Sequence, residues 1–140
     1  MGREPDSANP GAAPPGSRSE APDFALPRSR RMWPALYRDA FAQERSFPGR
    51  FLVLFLRTGP EADRRLGVVT SRRTLPAAVA RNRARRLLRE AFRLSRLHLR
   101  PDVDVLLLAR GRIERVKRQD VEADFRTVCR KAGIWREDPC

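Results

Sequence analysis

The residues that most clearly predict chemistry are arginines. Residues 81–100 contain eight arginines and a single acid, Glu90. The guanidinium group binds phosphate through a planar fork of donors, and it also stacks on unpaired bases. Four of these arginines follow one another at intervals of four residues: Arg81, Arg85, Arg89 and Arg93. Like charges at that spacing repel on a helix, and an ordinary solvated face relieves them with acids. An unrelieved ladder of this kind indicates a surface that an external polyanion neutralises.

Groups that could cleave a phosphodiester bond are sparse. His98 is the only histidine, and Asp102 and Asp104 stand two residues apart with no third carboxylate nearby in sequence. A self-sufficient nuclease needs clustered carboxylates for metal ions or paired groups for acid–base catalysis. We interpret the two aspartates as strand-edge charges, and we expect no catalytic residue and no metal site in the protein.

The overall charge supports a polyanionic partner. The chain of 140 residues contains 30 Lys and Arg against 17 Asp and Glu, a net charge of +13. Residues 1–27 carry a net charge of −2, so residues 28–140 carry +15. A body so basic attracts nucleic acid because each phosphate contact releases condensed counterions.

Length, apolar patterning and cysteine content limit the protein class. A chain of this length accommodates one domain. It contains no apolar run of the roughly 18 residues that a membrane span requires, and no signal-peptide core near Met1. Cys129 and Cys140 are too few for a disulfide framework or a zinc site, so we expect free thiols. We therefore expect a cytoplasmic protein without a membrane partner.

Composition divides the chain into three parts. Six of its 12 prolines lie within residues 1–27, together with glycine, alanine and serine. Such a segment buries too little apolar surface to offset its ordering entropy, which predicts a disordered tail. Residues 28–136 form the predicted folded domain, and residues 137–140 form a short C-terminal tail.

The hydrophobic periodicity of the folded part predicts three helices and three strands. The helices are expected at about 29–41, 80–97 and 120–132, and the strands at 51–57, 66–71 and 102–109. Pro34 fits only near the first turn of a helix, so the first helix is expected to begin late. The last is expected to have Asp120 as its N-cap and to end at Gly133. The order α-β-β-α-β-α predicts an α+β fold, a single-domain two-layer sandwich of a small mixed sheet and packed helices.

The long middle helix has two chemically distinct faces. At 100° per residue, small and apolar residues share one arc: Ala84, Leu87, Leu88, Ala91, Phe92 and Ser95. Basic residues share the opposite arc, with Asn82 aligned above them: Arg85, Arg86, Arg89, Arg93 and Arg96. The first arc is predicted to face the core and the second to face a polyanion.

These residues resemble a known family. Arg81-Asn82-Arg83, followed by Arg89-Glu90-Ala91-Phe92, resembles the RNR motif of the bacterial ribonuclease P protein component. Residues 65–73 and 78–80 are similar to the segments that precede this motif, residues 31–38 to the family's first helix, and residues 104–110 to one of its strands. The resemblance covers roughly residues 26–135, nearly the whole predicted domain.

The resemblance implies a fold and a division of labour. The family has an α/β sandwich with a left-handed βαβ crossover, and its catalyst is an RNA subunit that binds the Mg²⁺ ions. The protein, one copy per RNA, holds the 5′ leader of precursor tRNA, while its RNR helix lies against the catalytic RNA. Leader contacts then fall to Trp33, Tyr37, Phe51 and Phe55. Catalytic-RNA contacts fall to Arg72, Arg73, Arg81, Asn82, Arg83, Arg85, Arg86 and Arg89.

Aromatic faces stack on unpaired bases with little sequence preference, as a variable leader requires. Core packing is the alternative for each aromatic, and it is strongest for Phe51 and Phe55, which are predicted to share a strand face with Val53. A ribosomal or other structural RNA-binding protein of similar fold is the alternative function that composition leaves open.

Overall fold

The computed structural model describes residues 28–138. The helices are α1 (Pro34–Gln43), α2 (Ala78–Ser95) and α3 (Arg118–Lys131), and the strands are β1 (Ser46–Pro48), β2 (Leu52–Thr58), β3 (Leu66–Val69) and β4 (Val103–Ala109). Short 3-10 turns lie at Arg28–Arg30, Arg96–His98 and Gly111–Arg115. The predicted N-terminal tail, residues 1–27, lies outside the described residues.

The four strands form one mixed sheet in the order β1-β2-β4-β3. β2 is antiparallel to both β1 and β4, whereas β3 is parallel to β4 and reaches it through α2. The α+β fold with a small mixed sheet is confirmed, and the hand of the βαβ crossover stays a prediction. β1 was not predicted, because a three-residue strand that ends in Pro48 has no apolar alternation to reveal it.

The main core lies between one sheet face and the helices α2 and α3. Alternate β2 residues Leu52, Leu54 and Leu56 are buried on this face. The residues that α2 buries are the six that periodicity predicted: Ala84, Leu87, Leu88, Ala91, Phe92 and Ser95. The predicted core-facing arc of α2 is therefore confirmed.

α1 packs against the opposite face of the sheet. Its residues Leu36 and Ala40 form a second cluster with Met32 and with Leu106 of β4. The helix begins with Pro34 in its first turn, as the missing proline N–H requires, and residues 28–30 form a separate 3-10 turn. The sheet therefore carries α1 on one face and α2 and α3 on the other.

The sequence prediction is wrong for the start of α3 and right for its end. The predicted N-cap is wrong: the helix begins at Arg118 with Lys117 as its N-cap, and Asp120 lies in the first turn. The predicted stop is confirmed, because Gly133 follows the C-cap residue Ala132 and has a φ of +76°. Cys129 is a buried free thiol, and burial raises its pKa well above the ordinary value.

The interpretation of Asp104 as a strand-edge charge is wrong. Asp104 is completely buried and pairs with Arg57 at 2.8 Å. Its Oδ1 accepts hydrogen bonds from the backbone N–H groups of Asp63, at 3.0 Å, and Arg65, at 2.8 Å. Asp102 is exposed and pairs with Arg100 at 2.7 Å. Asp104 thus fixes the 63–65 loop to the sheet, whereas Asp102 lies at the surface.

Candidate nucleic-acid interface

The outer face of α2 exposes two of the five arginines that the sequence predicted there, together with Asn82. Asn82, Arg86 and Arg89 are exposed, on the side of the helix opposite its buried residues. Within residues 28–138, no hydrogen bond or ion pair engages the guanidinium of Arg86. Its donors are therefore available for a phosphate.

Two arginines of the RNR motif bind backbone carbonyl groups of this protein. Arg81 donates to the carbonyl oxygens of Leu75, at 3.0 Å, and Pro76, at 2.8 Å. Arg83 donates to the carbonyl oxygens of the Gly111–Arg115 turn and of the residue after it: Ile113, Glu114 and Val116. Both side chains are half-buried. The motif therefore fastens two neighbouring loops to the helix.

The predicted unrelieved ladder of arginines is wrong. Besides Arg81, the half-buried Arg85 donates to Thr70 Oγ1, at 2.7 Å, and to Asn82 Oδ1. Arg93 pairs with Glu90 at 2.8 Å, and this hydrogen bond lowers the pKa of the Glu90 carboxyl. The sequence did not show these contacts, because most of the acceptors come from other segments or from the backbone.

Arg72 and Arg73 lie in an exposed turn just before α2. The hydroxyl of Ser71 accepts the backbone N–H of Thr74 at 3.1 Å, and the fully buried Leu75 anchors the turn in the main core. Neither arginine has a hydrogen bond or ion pair in the part of the chain that the structure describes. Arg72 and Arg73 therefore lie beside the N-terminal end of α2.

Three predicted aromatics come together between α1 and the sheet. The ring of Trp33 is 46% exposed, and the Arg65 guanidinium lies 4.8 Å from its centroid. Tyr37 Oη accepts the backbone N–H of Val68 on β3 at 3.1 Å. Phe55 is half-buried in the cluster beneath α1. We refer to the surface that these residues form on the α1 side of the sheet as the aromatic cleft.

Sequence reasoning missed Phe41 and Arg65 as candidate site residues. Phe41 is 40% exposed and meets Phe55 edge to face, with 4.8 Å between ring centroids. The spacing of four residues from Trp33 to Tyr37, and again from Tyr37 to Phe41, could have revealed Phe41 as a site residue. No sequence signal reveals Arg65, because the buried Asp104 places its backbone.

The floor of the cleft beyond α1 is aliphatic. The strand register aligns Val53 of β2, Leu108 of β4 and Val69 of β3 in one row across the sheet. All three are only half-buried. An apolar floor beside exposed aromatic rings can bind unpaired bases by stacking and contact, with little sequence preference.

Phe51 lies apart from these aromatics. It precedes β2 and packs against the main core on the α3 side. Its backbone N–H donates to Asp124 Oδ2 at 2.9 Å, and the Arg50 guanidinium lies 5.4 Å from its ring centroid. The structure therefore does not bring Phe51 together with Trp33, Tyr37 and Phe55.

Among the residues that the structure describes, the side chains that a self-sufficient nuclease would need are not clustered. Over 28–138, no three His, Cys, Asp or Glu side chains are placed to hold a metal ion. His98 stacks on Trp135 with 4.6 Å between ring centroids, and its Nδ1 lies 2.8 Å from the carbonyl oxygen of Arg136. No helix in this region is long and apolar enough to cross a membrane.

Comparisons with known proteins show which family this chain is similar to. The ribonuclease P family model matches residues 26–133. The ribonuclease P protein component of Syntrophomonas wolfei is 29% identical over 99 residues, covering 71% of this chain and 82% of that protein. That of Chromohalobacter salexigens is 36% identical over 118 residues, covering 81% and 85%. The Staphylococcus aureus RNase P protein structure, 24% identical, aligns with a TM-score of 0.67 over 76% of this chain and 98% of that one, which shows a shared fold.

Proposed function

The chain belongs to the ribonuclease P protein family, and from that premise we propose how its two surfaces contribute to removing 5′ leaders from precursor tRNAs. It is the protein component of this tRNA-processing ribonuclease, and RNA binding is part of that function. The chemistry itself belongs to the RNA subunit, with Mg²⁺ held mainly by that RNA. The protein acts as one copy bound to one RNA, in the cytoplasm.

The basic surface around α2 binds the catalytic RNA. Exposed side chains contact phosphates directly, namely Arg72, Arg73, Asn82, Arg86 and Arg89. Arg81, Arg83 and Arg85 lie in the same surface, where their hydrogen bonds to the protein also hold the adjoining loops. Guanidinium groups that are already ordered lose less conformational entropy when a phosphate binds.

The cleft between α1 and the sheet binds the 5′ leader. Stacking on Trp33, Tyr37 and Phe55 contributes roughly 1–3 kcal/mol per base and tolerates any sequence. Arg65 lies above Trp33, and its guanidinium, which also donates to the Glu61 carbonyl and lies 3.8 Å from the Asp104 carboxylate, adds positive charge beside the stacked base. Phe51, on the α3 side of the sheet, would contact RNA only outside this cleft.

The observation that carries this proposal is that an aromatic cleft and a basic surface lie on opposite faces of one small sheet. Such a scaffold can bind a single-stranded segment on one side and a folded RNA on the other. Arg85 of α2, bonded to Thr70 just after β3, fixes the basic surface to the β3 edge of the sheet.

A cleavage assay tests the proposal. Full-length protein is incubated with a precursor tRNA at low Mg²⁺, with and without a bacterial ribonuclease P RNA. We expect cleavage at the mature 5′ end only when the RNA is present, and stimulation by the protein that grows with leader length. Site-specific cleavage by the protein alone would contradict the assignment of the chemistry to RNA.

A further inference from the structure

We infer that the turn after β4 forms a second phosphate-binding surface for the catalytic RNA, and that Arg83 holds this surface in place. The turn is the 3-10 segment Gly111–Arg115 together with the residues that lead into α3. The inference rests on the proposed function and adds residues that the RNR motif does not contain.

The turn carries unpaired positive charge. Residues 110–118 contain five basic side chains and one acid, Glu114. Arg110 donates to the Gly49 carbonyl at 2.9 Å, and Arg118 pairs with Glu122 at 3.3 Å. The other three cations are exposed, with no hydrogen bond or ion pair among residues 28–138: Arg112, Arg115 and Lys117.

The turn is also fixed in position. Ile113 is fully buried in the main core, so the turn cannot swing away from the body. Arg83 reaches from α2 to the carbonyl oxygens of Ile113, Glu114 and Val116. The Ile113 carbonyl also accepts the Val116 N–H at 3.4 Å, and the Arg83 cation adds donors at the C-terminal end of the turn, where positive charge is favourable. The three free cations are therefore held on a preorganised backbone.

This turn continues the surface around α2. A Cβ built on Gly111 lies 3.5 Å from the Thr74 side chain, so the turn packs against the Arg72–Arg73 loop. The Arg72–Arg73 loop, α2 and the turn after β4, which is distant in sequence, thus form one basic surface. Its cations without a hydrogen bond or ion pair among residues 28–138 are Arg72, Arg73, Arg86, Arg112, Arg115 and Lys117.

The catalytic RNA fits this surface better than the leader does. Ile113 packs on the sheet face that α2 and α3 cover, whereas the leader cleft lies on the face that α1 covers. A folded RNA bound along α2 would reach the turn without crossing the sheet. Arg83, with its guanidinium engaged by three carbonyl groups, is a positioning residue for this contact.

Binding measurements on the full chain test the inference. The variant R112A/R115A/K117A is titrated with ribonuclease P RNA over a range of salt concentrations. Each lost phosphate contact reduces the log–log salt slope by about 0.7–0.9, so the slope should fall by about two to three. The charge-matched control is R126A/K131A/R136A, at the far end of α3, and its slope should change by less than about one.

A second experiment separates positioning from direct contact. Arg83→Lys keeps the charge but cannot bind three carbonyl groups in the same geometry. It should weaken RNA binding in the wild-type background and have little further effect in the R112A/R115A/K117A background. Hydrogen exchange of the Val116 amide should rise in Arg83→Lys, while the protection of α2 stays unchanged.

The outcomes distinguish the inference from the proposed function. Wild-type protein that binds ribonuclease P RNA no better than an unrelated folded RNA would overturn both. With normal wild-type binding, a triple variant that keeps the wild-type salt slope, or that matches the control, overturns the inference alone. Full additivity of Arg83→Lys with the triple variant would show that Arg83 does not act through this turn.

Discussion

The buried carboxylate of Asp104 provides the sharpest test of how this scaffold positions its binding residues. Asp104→Ala leaves the backbone N–H groups of Asp63 and Arg65 without their acceptor. It also leaves the buried Arg57 paired only with Asp39, whose side chain is 44% exposed. Removing one partner of a buried ion pair costs about 3–5 kcal/mol in total, because the remaining buried polar groups are left without partners.

We therefore expect Asp104→Ala to lose about 3–5 kcal/mol of unfolding free energy in urea titrations. A domain of this size has a total stability of roughly 5–15 kcal/mol, so this loss is a large fraction of the free energy of unfolding. Its melting temperature should fall by about 12–20 °C.

The neighbouring aspartate is the matched control. Asp102→Ala removes an exposed pair with Arg100 and should change stability by less than about 1 kcal/mol. If Asp104→Ala cost no more than Asp102→Ala, the buried network would not stabilise the fold and our reasoning would be wrong. The affinity of Asp104→Ala for the 5′ leader gives a second measurement, because Asp104 fixes the loop that places Arg65 over Trp33.

Four further predictions follow from the site and the core. Tyr37→Phe keeps the aromatic ring, so its affinity for the leader in fluorescence titrations should stay unchanged. Its free energy of unfolding should fall by roughly 1 kcal/mol, because the backbone N–H of Val68 on β3 loses its acceptor. Arg86→Ala should weaken RNA binding at unchanged melting temperature, whereas Phe92→Ala should cost about 3–5 kcal/mol of stability. Gly49→Ala should destabilise by about 1–3 kcal/mol in urea, because its Cβ would lie 2.6 Å from an α3 carboxylate oxygen. Cys129 should resist a thiol reagent at pH 8 until urea unfolds the chain, because burial raises its pKa; rapid native labelling would contradict this.

Local periodicity determined much of this protein from sequence alone. An α-helix repeats every 3.6 residues, so the sequence of α2 by itself separates a core face from a basic face, and its six buried residues match the prediction. The proline rule likewise determined the start of α1, and Gly133 the end of α3. The excess of arginine and the ordered motifs were sufficient to indicate the ribonuclease P family.

Contacts between distant segments were decided only by the tertiary structure. Asp104 looks like any strand aspartate until the fold places Arg57 and the 63–65 loop around it. Arg83 lies 31 residues from Glu114 in sequence, and only the fold brings the carbonyl groups of the turn after β4 within its reach. Phe51 and Phe55 look equivalent until one is seen to pack toward α3 and the other toward α1. A side chain's type fixes which partners it can bind, but the identity of the partner depends on which distant segments the chain fold brings beside it.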